Sequence, residues 1–223
     1  MNSEDVKKLL SHLKNFVSPE RYERIDALTL NKTNHATIVL ENIFQEHNTS
    51  AVLRTAEALG VNTIHVIENK HVYKTNTTVD KGASQWVTLK KFSTPDDCLK
   101  ELKDNGYKVF ATTLHEKACT LDQLPIDTKI ALVFGTEQSG VSQYILDNAD
   151  GYVSIPMYGF TESLNVSVAA GICMYDLVTK MHNSETTPWR MSPEEQDLLK
   201  LSWLRNTIHG VHEIEKRFWA AHK

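Results

Sequence analysis

Between residues 36 and 182, short β-branched and apolar runs alternate with segments that carry helix start and stop signals. The runs that predict strands are residues 37–40, 64–67, 86–89, 108–112, 130–134 and 152–155. The segments that predict helices are residues 48–59, 96–105, 142–149 and 163–181. Such alternation favours an α/β fold with a mostly parallel sheet and helices on both faces. Sheets of this kind bind ligands in the loops after the carboxyl ends of their strands.

Two flanking segments differ from this alternating middle. Residues 1–30 place apolar side chains at helical spacing and contain the helix start Ser18-Pro19, which together predict two helices. Residues 183–223 open with a polar linker and continue with a capping box at Ser192 to Glu195, which predicts a C-terminal helix. We therefore predict an N-terminal helical extension (1–30), an α/β domain (31–182) and a C-terminal linker with a helical tail (183–223).

The overall charge argues mildly against a nucleic-acid partner. Lys and Arg number 24 and Asp and Glu number 28, so the formal net charge is −4, whereas nucleic-acid-binding domains usually carry a basic excess. The charge is distributed unevenly, because residues 25–189 carry −6 while residues 1–24 and 190–223 each carry +1. The net charge is therefore a sum over regions of opposite sign, and the local electrostatic field matters more for nucleic-acid binding than this total.

Several classes of protein are disfavoured by missing signals. No apolar run reaches the length of a membrane-spanning helix, and the first residues lack the apolar core of a signal peptide. Cys98, Cys119 and Cys173 lack metal or disulfide spacing, which favours free thiols in the cytoplasm. Only His209 and His212 have ligand spacing, and nothing completes a metal site around them. The chain has neither a GxGxxG nor a Walker A motif, which argues against dinucleotide dehydrogenases, P-loop NTPases and Rossmann-type methyltransferases.

The first polar segment, residues 46–54, follows the first predicted strand. A helix that begins at Asn48 would place this side chain at the helix tip, where anions are often bound. Arg54 lies more than one turn later and could clamp a phosphate with its planar guanidinium. An ordinary N-cap and a surface arginine would explain the same two residues.

Two further segments follow later strands. Residues 134–140, FGTEQSG, contain two glycines with Glu137 between them, a pattern that suits close approach of a ligand to the backbone or a simple tight turn. Residues 155–171, IPMYGFTESLNVSVAAG, form an apolar loop that leads to Ser163 or Asn165 as a possible helix cap. Each segment taken alone fits either a binding site or a purely structural feature.

Together the three segments resemble the three signature motifs of the SPOUT-class RNA ribose 2′-O-methyltransferases, and most closely those of the TrmH branch, which modifies tRNA. The resemblance covers roughly residues 25–182 in order and spacing. It implies a sheet whose C-terminal part is threaded into a deep trefoil knot. It also implies a homodimer that uses S-adenosylmethionine as methyl donor, needs no metal and acts on tRNA.

The resemblance also implies roles for individual residues. Arg54 matches the catalytic arginine, and the other polar motif residues are Asn48, Glu137, Ser163 and Asn165. The residues implied to hold the cofactor are Thr112, Thr113, Leu114, Gly135, Ile155, Met157 and Leu164. Because a guanidinium stays protonated far above neutral pH, it is a poor base near neutral pH. The role of Arg54 stays open between general base and electrostatic stabiliser of the developing alkoxide.

In the family, RNA is bound by the terminal helices and by a stretch that here spans residues 69–95. The basic candidates are Lys7, Lys8, Arg21, Arg24, Lys70, Lys74, Lys81, Lys90, Lys91, Arg190, Arg205, Lys216 and Arg217. A low net charge predicts few phosphate contacts and a shallow salt dependence of RNA binding.

Three functions remain open, and the first is methylation of the D-loop guanosine at position 18 of tRNA. The second is methylation of ribosomal RNA, whose enzymes often carry an extra N-terminal domain. About 35 residues precede the first predicted strand, which favours tRNA. The third is a catalytically silent RNA-binding protein, against which the intact set of polar motif residues argues.

Overall fold

A computed structural model describes residues 1–43, 45–68, 81–114 and 117–221. The chain forms two compact units, one of residues 33–189 and one of residues 1–32 with residues 190–223. Within the described residues, no helix is long and apolar enough to cross a membrane. The domain boundaries after residues 30 and 182, like the trefoil knot, stay predictions.

The described helices alternate with strands through the middle of the chain. In chain order they are α1 (Ser3–Leu13), α2 (Pro19–Thr29), α3 (Glu46–Ala58), α4 (Pro95–Asp104), α5 (Gln143–Asn148), α6 (Val166–Asn183), α7 (Pro193–Thr207) and α8 (Val211–Ala221). Helices α3 to α6 belong to the unit of residues 33–189, and the other four belong to the unit built from the two ends of the chain.

The described part of the larger unit contains a seven-stranded sheet. Its strands are β1 (Ala36–Glu41), β2 (Thr63–Ile67), β3 (Thr88–Phe92), β4 (Tyr107–Thr112), β5 (Cys119–Thr120), β6 (Lys129–Phe134) and β7 (Gly151–Ser154). The spatial order is β3-β2-β1-β6-β4-β7-β5, and each neighbouring pair is parallel. The prediction of an α/β fold with a mostly parallel sheet is therefore confirmed.

Both faces of the sheet are covered by helices. Ile38 and Leu132 pack into one cluster with buried side chains of α3 and α6. Their neighbours Val39 and Val133 point the other way and pack with buried side chains of α4 and α5. Because successive strand residues face opposite sides, strands that are apolar at almost every position fit a sheet buried on both faces.

The third strand begins two residues later than the sequence predicts. The N–H of Trp86 donates to Ala83 O at 2.9 Å and closes a short 3₁₀ turn, so residues 86 and 87 precede the strand. Thr88 then pairs with Thr63 of β2. Strand β5 has only two residues, which is too short for a periodicity signal, and the sequence did not predict it.

Two helix starts also differ from the prediction. Helix α3 begins at Glu46 with Gln45 as its N-cap, so the assignment of Asn48 as N-cap is wrong. Helix α6 begins at Val166 rather than near residue 163, and its cap is Asn165, whose side chain accepts from the N–H of Ser167. In both cases several polar residues near the helix start can serve as the N-cap, so the residue types alone do not determine which of them does.

The unit formed by the chain ends is a small helical cluster. Helix α7 packs against α1 and α2 through buried residues that include Leu9, Trp203 and Leu204. The predicted capping box at the start of α7 is present, since Ser192 N donates to Glu195 Oε2 at 2.8 Å and Glu195 N donates to Ser192 Oγ at 3.2 Å.

Candidate active site

The predicted site segments converge because the strands before them are neighbours. Strands β1, β6, β4 and β7 are adjacent and parallel, so their carboxyl ends lie at one edge of the sheet. Helix α3 follows β1, residues 135–142 follow β6, and residues 155–165 follow β7. The sheet order thus brings together segments that are far apart in sequence, as expected for a ligand site in an α/β fold.

Three of the five predicted catalytic residues form one hydrogen-bonded network. Glu137 Oε1 accepts from Asn48 Nδ2 at 3.2 Å and from Asn165 Nδ2 at 2.8 Å. Asn165 Nδ2 also donates to Asn48 Oδ1 at 3.0 Å, and Asn48 Nδ2 donates to Gln45 Oε1. The two amides therefore hold one oxygen of the Glu137 carboxylate in a fixed position.

Asn165 combines a structural and a site contact. Its Oδ1 caps α6 by accepting from Ser167 N at 2.9 Å and Ser167 Oγ at 2.6 Å. Since the same amide uses its Nδ2 toward Glu137 and Asn48, its orientation is determined from both sides. The start of α6 is thereby tied to the network.

A cleft of about 390 Å³ lies beside this network. It is lined by every residue predicted to bind the cofactor: Thr112, Thr113, Leu114, Gly135, Ile155, Met157 and Leu164. Glu137 and Ser163 line it as well. The volume falls in the range of small-molecule sites, and the lining mixes apolar walls with a few polar groups, as such sites do.

Gly135 forms the tightest point of this cleft. A Cβ at this position would lie 2.0 Å from the backbone C and O of Gly140 and 2.2 Å from the N of Val141. Only glycine therefore allows the backbone on both sides of the turn to approach this closely. The glycine predicted from sequence is required here by sterics.

A second cleft, of about 620 Å³, lies across the 136–141 turn from the first. Asn48, Glu137 and Gln45 line it, together with Glu41 at the end of β1. Sequence reasoning did not single out Glu41. The only sequence signal is a charged residue at the end of the strand run of residues 36–40, and the structure shows that it is buried, being 2% exposed.

Arg54 and Ser163 stand apart from the network. Arg54 is exposed on α3 and is not among the residues that line either cleft. Arg54 lies six residues after Asn48 in the α-helix, which places the two side chains about 120° apart around the helix axis. Ser163 lines the smaller cleft next to Leu164. The structure therefore brings Ser163 to the cofactor residues and leaves Arg54 on the outer surface of α3.

Cysteine and metal chemistry are two further possibilities for the described part of the clefts. Cys173 lines the smaller cleft, and burial raises the pKa of its thiol to about 12, so it stays protonated. Among the described residues, no group of three or more His, Cys, Asp or Glu side chains could hold a metal ion.

The predicted RNA-binding cations differ in their surroundings. Lys70 and Lys74 lie outside the described residues. Four of the others form ion pairs with carboxylates: Lys8 with Glu4, Lys90 with Glu101, Lys91 with Glu68 and Arg205 with Glu215. Pairs at the surface contribute little, about 0–1 kcal/mol, so these cations could exchange a carboxylate for a phosphate. Lys7, Arg24, Lys216 and Arg217 are exposed.

Comparison with known proteins identifies relatives over nearly the whole chain. Residues 35–175 match the SpoU rRNA methylase family. A tRNA (guanosine(18)-2′-O)-methyltransferase of Borreliella burgdorferi is 40% identical over 212 residues, covering 95% of this chain and 97% of the relative.

Two solved structures extend the comparison to the fold. The crystal structure of the Aquifex aeolicus TrmH/SpoU tRNA-modifying enzyme superposes with a TM-score of 0.77 at 30% identity, covering 85% of this chain and 98% of that one. A SpoU methyltransferase of Streptomyces viridochromogenes, solved with the cofactor AdoMet, has a TM-score of 0.62 at 19% identity and covers 69% of this chain and 63% of that one. At that identity, the second likeness concerns the fold alone.

Proposed function

Since this chain belongs to the SpoU rRNA methylase family, we propose that it methylates the ribose 2′-hydroxyl of guanosine 18 in the D-loop of tRNA, with S-adenosylmethionine as methyl donor. One observation carries the proposal. Asn48, Glu137 and Asn165 form a network beside the single cleft that all seven predicted cofactor residues line. The tRNA nucleotide is taken from relatives such as the Borreliella enzyme, whose name specifies it.

The smaller cleft suits the methyl donor. Its residues come from the ends of β4, β6 and β7, so backbone polar groups and apolar side chains face the same space. Leu114, Met157 and Leu164 provide apolar walls, and Gly135 lets the backbone of Gly140 and Val141 approach closely at the cleft. When bound, S-adenosylmethionine supplies a methyl group already activated by its sulfonium. The chain then has two tasks, which are to orient the ribose hydroxyl and to assist loss of its proton.

The network performs the first task in this proposal. Asn48 and Asn165 hold Glu137, which lines both clefts, and Asn48 lines the larger one. A fixed carboxylate and two fixed amides offer acceptors and donors to a ribose, whose hydroxyls need both. Ser163 adds a hydroxyl on the cofactor side. The larger cleft, with its polar lining, would receive the target nucleoside.

Arg54 performs an electrostatic task. A guanidinium remains protonated near neutral pH, and a neighbouring RNA phosphate would favour the charged form further. We therefore assign it stabilisation of the negative charge that develops on the 2′-oxygen, together with binding of the RNA phosphate. Its exposed position outside both clefts fits a side chain that meets the RNA.

The proposal includes a homodimer. Val168, Ile172 and Tyr175 form an exposed apolar stripe along α6, at the spacing of one helix face. Tyr158 and Phe160, in the loop before α6, are also exposed. Large exposed apolar patches mark protein interfaces, and a second copy of the chain is the expected partner. We also propose a cytoplasmic location, since the three cysteines are free thiols.

A methyl-transfer assay tests the function. The protein is incubated with labelled S-adenosylmethionine and either a tRNA transcript with guanosine 18, the same transcript with adenosine 18, or ribosomal RNA. Nucleoside mass spectrometry should find 2′-O-methylguanosine only in the first. Arg54→Lys should be nearly inactive because, although the charge is kept, the planar guanidinium fork is lost. Glu46→Gln on the same helix serves as the control. Product in ribosomal RNA alone, or wild-type rates for Arg54→Lys, would contradict the proposal.

A further inference from the structure

The segment of residues 135–142 is the wall shared by the two clefts, and it is fixed internally. Thr136 N donates to Gly140 O at 3.1 Å, and Gly140 N donates to Thr136 O at 2.9 Å. Ser139 N donates to Thr136 Oγ1 at 3.1 Å. These bonds shape the turn that carries Glu137. They do not fix its position relative to the sheet, which requires contacts outside the turn.

Glu41 supplies such a contact from the end of β1. Its Oε2 accepts the backbone N–H of Ser142 at 2.7 Å and so joins β1 to the N-cap of α5 across 101 residues of sequence. Hydrogen bonds to an ionised acceptor are roughly twice as strong as neutral ones. Because the carboxylate is 2% exposed, solvent screens this bond little.

The rest of the Glu41 environment is unfavourable for a carboxylate. Its Oε1 is buried and has no hydrogen-bond partner among the described residues. Burying a polar oxygen without a partner costs stability, and an apolar side chain at this position would avoid that cost. A group that costs stability at the edge of a site points to a functional constraint.

We propose that Glu41 is a positioning residue for methyl transfer. By holding Ser142, it fixes the C-terminal end of the 135–142 segment, which keeps Glu137 within reach of Asn48 and Asn165. The same contact fixes the wall of the cofactor cleft. The relevance to catalysis rests on the function proposed above, whereas the effect on the segment does not.

Three variants separate the contributions. Glu41→Leu removes the acceptor and fills the space with an apolar group, and Glu41→Gln keeps an oxygen that can accept the Ser142 N–H. Ser142→Ala keeps that N–H and removes only the cap bond that Ile145 N donates to Ser142 Oγ. Since a hydrogen bond to a charged group contributes about 1.5–3 kcal/mol, its loss corresponds to about 10- to 100-fold in an opening equilibrium.

Hydrogen exchange of the Gly140 and Ser142 amides, measured without cofactor or RNA, is the primary readout. Glu41→Leu should exchange about 10-fold faster or more at these amides, while its melting temperature stays near that of wild type because removal of the unpaired Oε1 offsets the lost bond to Ser142. It should also bind S-adenosylmethionine about 10-fold more weakly by calorimetry. Glu41→Gln should keep amide exchange and cofactor affinity close to wild type. Ser142→Ala should keep the exchange rate of the Gly140 amide close to wild type.

The opposite results would overturn the inference. Wild-type exchange and cofactor affinity in Glu41→Leu would show that Glu41 does not position the segment. A lower melting temperature with unchanged local exchange would make it a purely structural residue. If Glu41→Gln and Glu41→Leu increase exchange and weaken cofactor binding equally, the bond to Ser142 is not the cause of these defects. If the wild-type protein fails to methylate tRNA, the proposed function fails, and the exchange data still decide the role of Glu41.

Discussion

Replacing Gly135 with alanine should disable the site through a local backbone clash. The added Cβ would lie 2.0 Å from the backbone of Gly140, whereas ordinary contacts begin near 3.4 Å, so one side of the turn must move by about 1.4 Å. The opposing atoms belong to the backbone and cannot rotate away as a side chain would. The 135–142 segment therefore has to shift as a whole, and Glu137 moves with it.

The magnitude follows from the size of this shift. An extra methyl in a well-packed region costs about 1–3 kcal/mol, and a clash with backbone belongs at the upper end. A displacement of 1 Å near a reacting centre can lower the rate by about 100-fold. We expect the free energy of unfolding to fall by about 2–3 kcal/mol. We also expect kcat/KM for methyl transfer to fall by about 100-fold or more.

Chemical unfolding, calorimetry with S-adenosylmethionine and initial methylation rates measure these effects, with two glycines as controls. A Cβ on Gly140 meets nothing within 4 Å, so Gly140→Ala adds only the strain of its positive φ of 65°, about 1 kcal/mol. A Cβ on Gly159 would meet only Thr161 N, at 4.0 Å. The reasoning is refuted if Gly135→Ala binds the cofactor and methylates tRNA within about 3-fold of wild type, since a displaced segment should cost far more.

Three further predictions concern other contacts. Asn165→Asp keeps the cap of α6 but places a second carboxylate beside Glu137, so methylation rates should fall about 100-fold while helix content by circular dichroism is kept. Burial, with a smaller contribution from Lys90, lowers the pKa of His65 to about 4. Below about pH 6.5 the unfolded chain therefore binds a proton at His65 that the folded chain does not bind, so the free energy of unfolding should fall as the pH drops from 6.5 to 4. Urea unfolding of wild type measures this loss, and His65→Asn, which cannot bind the proton, is the control. Ser192→Ala removes the capping box of α7 and should lower the unfolding free energy by about 1 kcal/mol in the same assay.

The cleft was predictable because it depends on topology. Alternating strand and helix signals imply a parallel sheet, and the residues that follow its strands must gather at one edge. Thr112 and Ile155 end predicted strands and Gly135 directly follows one, and all three line one cleft. The family resemblance selected among the many residues near those strand ends. Neither the sheet topology nor the spacing of the motifs depends on the exact residue at which a helix begins.

The predictions that were wrong or missing concern contacts for which several nearby residues compete. Gln45 caps α3 instead of Asn48, and this three-residue shift of the cap turns Asn48 from a helix cap into a member of the Glu137 network. Glu41 was overlooked because a strand pattern reports which positions are buried and not which buried group meets a backbone N–H 101 residues away. Such a contact depends on the path of the chain after β6, and local periodicity carries no information about that path.

The position of Arg54 follows from helix geometry and limits how the site can be completed. Six residues turn the helix by about 600°, which places Arg54 about 120° from Asn48 around α3, so the two side chains leave the helix on different faces. Asn48 points to the Glu137 network, and Arg54 is exposed. A reaction that uses both must therefore bring its substrate to the outer surface of α3 as well as to the clefts. RNA bound across that surface meets this requirement, and a small molecule confined to either cleft does not.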